Sequence, residues 1–244
     1  MKSLNIIIVS IILVLASSCS KEPGEGGTSN ITGNVYFNLY DHNDKFIEKQ
    51  NAVDEQVFIT YGDHTIFDDD TDTHQDGQYQ FKFLRNGDYK VFAYEDCDTC
   101  DSGIKPVEIA VEITENKSTV SVSDIELRKN IDPNDGNSTI KGKIFEENYN
   151  SSGQLNDDYY IGNERVFIKY DNDASYFGDV RTNTDGSYEF KNLIIGNYTV
   201  YAFSKCDKFD NANNYNSCAM AVEKTGTITQ KGQTVELSDI LIYQ

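Results

Sequence analysis

The sequence predicts an all-β protein made of two tandem β-sandwich domains. The first observation is an internal repeat: a shift of 109 positions aligns Glu55–Cys97 with Glu164–Cys206 without a gap, and 18 of the 43 aligned residues are identical. A self-match of this length indicates a duplicated domain. The second observation is a period-two alternation of apolar and polar residues, and the third is the lack of a helical period beyond the N-terminal segment. Two sandwiches of about a hundred residues each explain all three.

Each copy is typical of short strands joined by tight turns. Tyr79, Phe81 and Phe83 alternate with polar residues, a pattern that buries one face of a strand and leaves the other in water. Asp76-Gly77 has the composition of a tight turn, because glycine accepts a positive φ. We predict about seven strands per copy, and six of those in the first copy are assigned to 31–40, 55–62, 79–83, 89–93, 107–113 and 119–127.

The repeat also divides the chain. We expect an export signal in residues 1–18 and a flexible, glycine-rich tether in residues 19–30. Residues 31–128 are the first sandwich and residues 138–244 the second. Residues 129–137 contain Asp132-Pro133-Asn134-Asp135-Gly136, which is typical of a turn-rich linker.

The N-terminus has the features of a bacterial lipoprotein signal. Lys2 precedes an apolar run from Leu4 to Leu15, which is shorter than the ~20 residues of a membrane-spanning helix. The small residues before Cys19 identify this cysteine as the residue that carries the lipid, such as palmitate. An ordinary secretory peptide is the alternative. The start of the mature chain at Ser20-Lys21-Glu22 resembles the export signals of some Bacteroidetes surface lipoproteins, which implies a lipid anchor in the outer membrane.

Four further cysteines would lie in an oxidising compartment after export, where disulfides are favoured. Each copy has two, so among the three connectivities the repeat favours Cys97–Cys100 and Cys206–Cys218. A redox role for Cys97-Asp98-Thr99-Cys100 is disfavoured, since neighbouring acids raise a thiol pKa. A zinc role is disfavoured because no second ligand pair occurs at a suitable spacing.

Charge restricts the partners. The chain has 40 acidic and 21 basic residues and a net charge of −19. Nucleic acids and anionic lipid headgroups are recognised by Lys and Arg, so neither is an expected partner. The expected contacts are the membrane, through the lipid alone, and an unidentified protein or glycan.

A family resemblance rests on the segment Thr182-Asn183-Thr184-Asp185-Gly186-Ser187-Tyr188-Glu189-Phe190-Lys191-Asn192-Leu193, followed by Gly196-Asn197-Tyr198-Thr199-Val200. It resembles the carboxypeptidase-regulatory-like and collagen-adhesin B-type domains, and Thr73 to Val91 repeats the pattern. The resemblance implies prealbumin-like, Greek-key sandwiches that act as stalks, spacers or adhesion modules. Some relatives form Lys–Asn isopeptide bonds. Lys141 and Lys143 lie on the corresponding strand, but no Asn partner is identifiable here.

Clustered aspartates are the candidate metal site. Carboxylates suit calcium, which takes about six to eight oxygen ligands. The second copy has Phe177-Gly178-Asp179-Val180-Arg181 in place of the longer acidic run, so a solvated loop is the favoured interpretation of the clustering. The candidate calcium ligands are Asp41, Asp44, Asp68, Asp69, Asp70 and Asp72.

The remaining features do not indicate catalysis. His42, His64 and His74 all occur in the first copy, and no nucleophile or phosphate-binding motif is present. We therefore expect a non-enzymatic structural, spacer or protein-interaction lipoprotein without a cofactor, calcium in the acidic loops being the one candidate. The alternative is a carbohydrate-binding accessory lipoprotein, in which loop tyrosines stack on sugars. Those tyrosines are Tyr149, Tyr159, Tyr160, Tyr170, Tyr176 and Tyr215.

Overall fold

Strands with alternating burial make up the computed structural model, which describes residues 22–150, 152–205 and 219–243. The described residues contain eighteen strands and no helix, so the predicted all-β class is confirmed. No helix in these ranges is long and apolar enough to cross a membrane. The strands of the first copy are β1 (Glu25–Tyr40), β2 (Phe46–Asn51), β3 (Gln56–Tyr61), β4 (Asp69–Asp72), β5 (Gln78–Leu84), β6 (Gly87–Asp96), β7 (Ile104–Ile113), β8 (Thr119–Ser121) and β9 (Ile125–Asn130).

The second copy has the same nine elements in its described part. They are β10 (Ser138–Tyr149), β11 (Leu155–Tyr160), β12 (Arg165–Tyr170), β13 (Gly178–Arg181), β14 (Ser187–Leu193), β15 (Gly196–Lys205), β16 (Ala219–Ile228), β17 (Thr234–Glu236) and β18 (Ile240–Tyr243). The described part of each copy has nine strands where about seven were expected. Beyond the six ranges assigned in the first copy, β2 and β4 carry no apolar alternation, and the 119–127 segment contains two strands, β8 and β9.

Each copy forms one five-stranded and one four-stranded sheet. In the first copy β2-β1-β5 is extended by β8 and β9, which both pair with β1, and β4-β3-β6-β7 forms the other sheet. In the second copy the orders are β11-β10-β14, with β17 and β18 on β10, and β13-β12-β15-β16. In each copy, apolar side chains of both sheets are buried together; Ile31 and Val35 of one sheet and Val57, Ile59 and Val91 of the other are 0% exposed.

Both copies have a core tyrosine, Tyr79 or Tyr188, that requires a glycine on the neighbouring strand. Both rings are fully buried. A Cβ atom at Gly33 would lie 2.6 Å from the Tyr79 hydroxyl oxygen, and one at Gly142 would lie 2.5 Å from that of Tyr188. A larger residue in place of Gly33 or Gly142 would therefore collide with a core tyrosine. These motif residues specify the fold.

The segment before Ile31 differs from the expected tether. The described chain is already in strand β1 at Glu25, and Ser29 is fully buried. The Ser29 hydroxyl donates to the Glu115 carbonyl at 2.9 Å and accepts from the Ser118 amide at 3.2 Å. Residues 25–30 of the expected tether are thus part of the sheet, where β1 pairs with Leu84 of β5 at Glu25 and again at Ser29.

Backbone contacts divide the described residues into two units. One lies within Met1–Phe37 and Gln50–Leu127, and the other within Asn38–Lys49 and Arg128–Gln244. The second unit therefore contains a hairpin tip that the repeat assigns to the first copy, and also the expected linker. The reason is hydrogen bonding: the Ile131 amide donates to the Tyr40 carbonyl, and the Pro133 carbonyl accepts from the Ile194 amide.

Candidate interaction surface

The four-stranded sheet of the first unit carries aromatic rings on the face opposite the core. Val57 and Ile59 are buried in the core, and Phe58 between them points to the other face because successive strand residues alternate. Phe92 and Tyr94 on β6 share that face with Phe58, since Val91 and Ala93 occupy the core positions. The register places Phe58 directly opposite Phe92.

Four rings meet there and form the first ring cluster, made of Phe58, Phe67, Phe92 and Tyr94. Phe58 stacks on Phe92 with ring centres 5.3 Å apart and an interplanar angle of 20°. Phe67 and Tyr94 contact the same Phe58 ring at 4.8 Å and 5.6 Å, with steep interplanar angles of 59° and 71°. Phe67 is 47% exposed and Tyr94 38% exposed, so solvent reaches this apolar surface.

The second unit repeats the arrangement in a second ring cluster, made of Phe167, Tyr176, Tyr201 and Phe203. Phe167 stacks on Tyr201 at 5.1 Å and 15°. Tyr176 and Phe203 contact Phe167 at 4.8 Å and 5.5 Å, with angles of 60° and 75°. Each ring lies 109 positions after its counterpart, so both copies hold the same cluster in nearly the same geometry.

Acidic residues lie at both ends of each stacked pair. Across the first sheet, Asp70 pairs with Phe58 and Glu108 pairs with Phe92. Across the second sheet, Asp179 and Glu223 occupy the same positions beside Phe167 and Tyr201. All four acids are exposed. We call Asp70, Phe58, Phe92 and Glu108 the first row. We call Asp179, Phe167, Tyr201 and Glu223 the second row.

The second row holds its own cations. The Arg165 guanidinium donates two hydrogen bonds to Asp179, at 2.9 and 3.0 Å, and its central carbon lies 5.1 Å from the centre of the Phe167 ring. This hydrogen bonding lowers the pKa of the Asp179 carboxyl. Lys169 lies 3.6 Å from Glu223 and 5.7 Å from the Tyr201 ring centre. The corresponding residues of the first copy are Gln56 and Thr60.

The expected calcium ligands Asp41 and Asp44 lie in the second unit and have protein partners. Asp41 is 1% exposed. One of its oxygens accepts from the backbone amides of Asn43 and Lys45, at 2.9 and 3.0 Å, and the other accepts from the Tyr170 hydroxyl at 2.8 Å. Asp44 pairs with Arg128 at 2.6 Å.

The other expected ligands lie in the first unit. Asp68 accepts from the Tyr61 amide at 2.7 Å and pairs with His64. Asp69, Asp70 and Asp72 lie on β4, where alternation directs neighbouring side chains to opposite faces. Among the described residues no group of three or more His, Cys, Asp or Glu could hold a metal ion. The favoured solvated loop and the alternative calcium site both stay predictions.

Cys97 and Cys100 form the expected disulfide. Cys19, Cys206 and Cys218 lie outside the described residues. Of the isopeptide candidates, Lys141 pairs with Glu236 at 3.2 Å and Lys143 with Asp185 at 3.5 Å.

The loop tyrosines have different environments. Tyr176 belongs to the second ring cluster, whereas Tyr170 is fully buried. Tyr159 and Tyr160 are exposed and donate to Glu146 and Asp239, both at 2.9 Å. The Tyr149 hydroxyl donates to Glu147 at 2.6 Å. Tyr215 lies outside the described residues.

Sequence reasoning missed most of both ring clusters. Phe58 and Phe92 were interpretable as core residues, because a ring on either face of a strand gives the same alternating pattern. One signal was available: Val57-Phe58-Ile59 and Val166-Phe167-Ile168 are apolar at three consecutive positions, so one of the three must face away from the core.

No family model and no curated protein matches this chain. Solved structures with some likeness include the Bacillus anthracis TIE protein (16% identity, 85% of this chain and 34% of that chain, TM-score 0.28). Others are a streptococcal ancillary pilin (10% identity, 85% and 62%, TM-score 0.28) and GBS52, the minor pilin of Streptococcus agalactiae (12% identity, 88% and 96%, TM-score 0.30). The chain spans less than two thirds of the first two. At these TM-scores the likeness carries no argument about function.

Proposed function

We propose that this protein is a non-enzymatic structural and protein-interaction module, held at the bacterial cell envelope by a lipid on Cys19. The observation that carries the proposal is the ring cluster that both copies present on an exposed sheet face. Exposed apolar patches mark interaction sites, and aromatic residues are enriched in the cores of protein interfaces. Two copies of one such face in tandem suit an adhesion-like module with two contact points.

The contacts of the buried polar residues support a structural role. The Thr73 hydroxyl donates to the Ala52 carbonyl and accepts from the Glu55 amide. Thr182 repeats this pair of bonds with Ile161 and Glu164. The Asp41 carboxylate caps a turn. These groups satisfy backbone donors and acceptors.

The envelope location rests on the N-terminal signal and on the resemblance to adhesin-type sandwiches. Metabolic labelling with a palmitate analogue tests it. We expect label on the wild-type protein and none on Cys19→Ala, with both variants exported. Label on Cys19→Ala would contradict the assignment of the anchor.

Photocrosslinking in cells tests the interaction surface. A photoreactive amino acid is placed at Phe67 or Tyr176, which lie in the two ring clusters, or at the matched control positions Lys82 and Lys191. The controls lie on β5 and β14 of the other sheets, and Lys82 is exposed. We expect a discrete adduct from the ring positions and none from the controls. Equal adducts at all four positions, or none, would exclude these faces as the contact surface.

Carbohydrate binding is the second candidate. Tyr94 and Tyr176 are exposed rings on faces that also carry acids, and this combination suits sugar stacking and hydroxyl recognition. A glycan-array screen separates the candidates, because a specific sugar signal that is lost in Tyr94→Ala or Tyr176→Ala would favour this second function over a protein partner.

A further inference from the structure

In the second row, one ring and one carboxylate together bind an arginine side chain. Within the chain itself, Phe167 and Asp179 together hold the Arg165 guanidinium, by ring contact at 5.1 Å and by paired hydrogen bonds. Carboxylate and ring therefore form a ready site for a planar cation, since Arg is bound bidentately by carboxylates and stacks on aromatic faces.

The first row has the same site without the arginine. Phe58 and Asp70 are the identical residues at the matching positions, and they pair across the strands as Phe167 and Asp179 do. Gln56 replaces Arg165, and its side-chain amide donates a 2.9 Å hydrogen bond to Asp70. Glutamine is neutral and shorter, so the charge of Asp70 is not neutralised by the residue at this position.

Charge distinguishes the two faces further. In the second row the acids Asp179 and Glu223 are each paired with a cation, Arg165 and Lys169. In the first row the acids at the same positions are Asp70 and Glu108. The residues that correspond to Arg165 and Lys169 are Gln56 and Thr60, which carry no charge. Lys90 on β6 lies opposite Thr60 and Ala110 in the register of this sheet.

We propose that the first row is a receptor for an arginine side chain of a basic protein partner. The guanidinium stacks on Phe58 and pairs with Asp70, as Arg165 does within the second unit. This inference rests on the proposed interaction function and names the chemistry of the partner. A second copy of this chain is a poor occupant, because it brings a further net charge of −19 to an acidic face.

The test is a titration of the exported full chain, labelled with ¹³C in its phenylalanines, with the peptide acetyl-(Gly-Arg)₃-amide. The matched probe replaces arginine by citrulline, which has the same shape without the charge. We expect the arginine peptide to shift the Phe58 signals and the citrulline peptide to leave them unchanged. Equal shifts with both peptides would overturn the proposal.

Two reciprocal substitutions sharpen the test. Gln56→Arg gives the first row its own arginine, so it should weaken peptide binding by about fivefold, within the range of a surface cation–π contact combined with an ion pair. Arg165→Gln opens the second row and should add a second binding site. Gln78→Arg, at an exposed position of β5, introduces the same charge on the other sheet and should have a smaller effect. Equal losses in Gln56→Arg and Gln78→Arg would show that only net charge matters.

A fourth variant, Asp70→Asn, tests the proposal if Gln56→Arg fails to fold. Asp70→Asn retains an oxygen that accepts from Gln56 but removes the charge, and it should weaken binding of the arginine peptide to the same degree. The outcomes also separate the two proposals. Adducts from Phe67 in cells without arginine-dependent binding would retain the interaction function and refute the arginine site. Loss of the adducts from Phe67 and Tyr176 would refute the interaction function itself.

Discussion

The Tyr170 hydroxyl donates a buried hydrogen bond to the Asp41 carboxylate at 2.8 Å, although 129 positions separate the two residues in sequence. Both belong to the second unit, because Asp41 lies in the hairpin segment Asn38–Lys49. Asp41 also accepts two backbone amides of its own turn. A residue that resembles a metal ligand in the sequence is therefore a buried structural acceptor.

Asp41→Ala should consequently destabilise the protein. It removes three hydrogen bonds and leaves the Tyr170 hydroxyl and two amides without their acceptor, at a cost of about 3 kcal/mol in the free energy of unfolding. Urea unfolding followed by circular dichroism measures it. The control is Asn150→Ala: the matching Asn150 also caps its turn, through the amides of Ser152 and Gln154, but it is exposed. A loss for Asp41→Ala no larger than the loss for Asn150→Ala would contradict this role.

Alkaline pH should destabilise the fold. Burial raises the pKa of Tyr79, Tyr170, Tyr188 and Tyr198 in the folded protein, with Asp41 adding to the effect at Tyr170. In the unfolded chain these hydroxyls titrate near 10. Their contribution to stability is therefore complete below about pH 10 and is lost as the pH rises toward their folded pKa values.

The measurement is the urea midpoint at pH 8, 9, 10 and 11, with tyrosinate absorbance recorded in parallel. We expect the midpoint to fall above about pH 10. Tyr61, whose pKa burial raises to about 12, should also stay protonated there while the chain is folded. Full tyrosinate absorbance in the folded protein at pH 11 would contradict the expectation.

Gly142→Ala should cost about 1–3 kcal/mol, the range for overpacking a core. The new Cβ would lie 2.5 Å from the Tyr188 hydroxyl oxygen. Gly178→Ala is the matched control in the same unit, since its Cβ would make an ordinary 3.6 Å contact with Ile168. Thermal melting compares the two variants. Equal melting temperatures would contradict the prediction, because they would mean that β10 shifts to accommodate the new Cβ at little cost.

Calcium chelation should leave the melting temperature nearly unchanged. Four of the candidate ligands already have protein partners. Asp41, Asp68 and Asp70 accept hydrogen bonds, and Asp44 forms an ion pair with Arg128. A ligand that binds the folded state raises its stability, so a bound calcium would show as a fall in the melting temperature with chelator. Such a fall, reversed by added calcium, would favour the calcium site over the solvated loop.

Much of the fold could be predicted from local patterns. The strands around Tyr79 and Val91 follow from period-two alternation, and the Asp-Gly turns follow from glycine at positive φ, 78° at Gly77 and 75° at Gly186. The expected alternation fails at Phe83, which has a φ of 59° and is 67% exposed, so that Leu84 takes the next buried position. The polar strand β4 was missed because its four residues, Asp69–Asp72, have no apolar alternation. Its position comes from pairing with β3, which a local pattern does not contain.

The sequence by itself determined the all-β class and the duplication, because alternation and self-similarity are properties of neighbouring and matching residues. Only the tertiary structure decided that Asp41 joins Tyr170 and that Asp70 lies beside Phe58. Both depend on which strands become neighbours and in what register, and a period of two specifies the face of a residue without specifying what lies next to it on that face. For this reason the two rows of acids and rings follow from the strand pairing and not from the local sequence pattern.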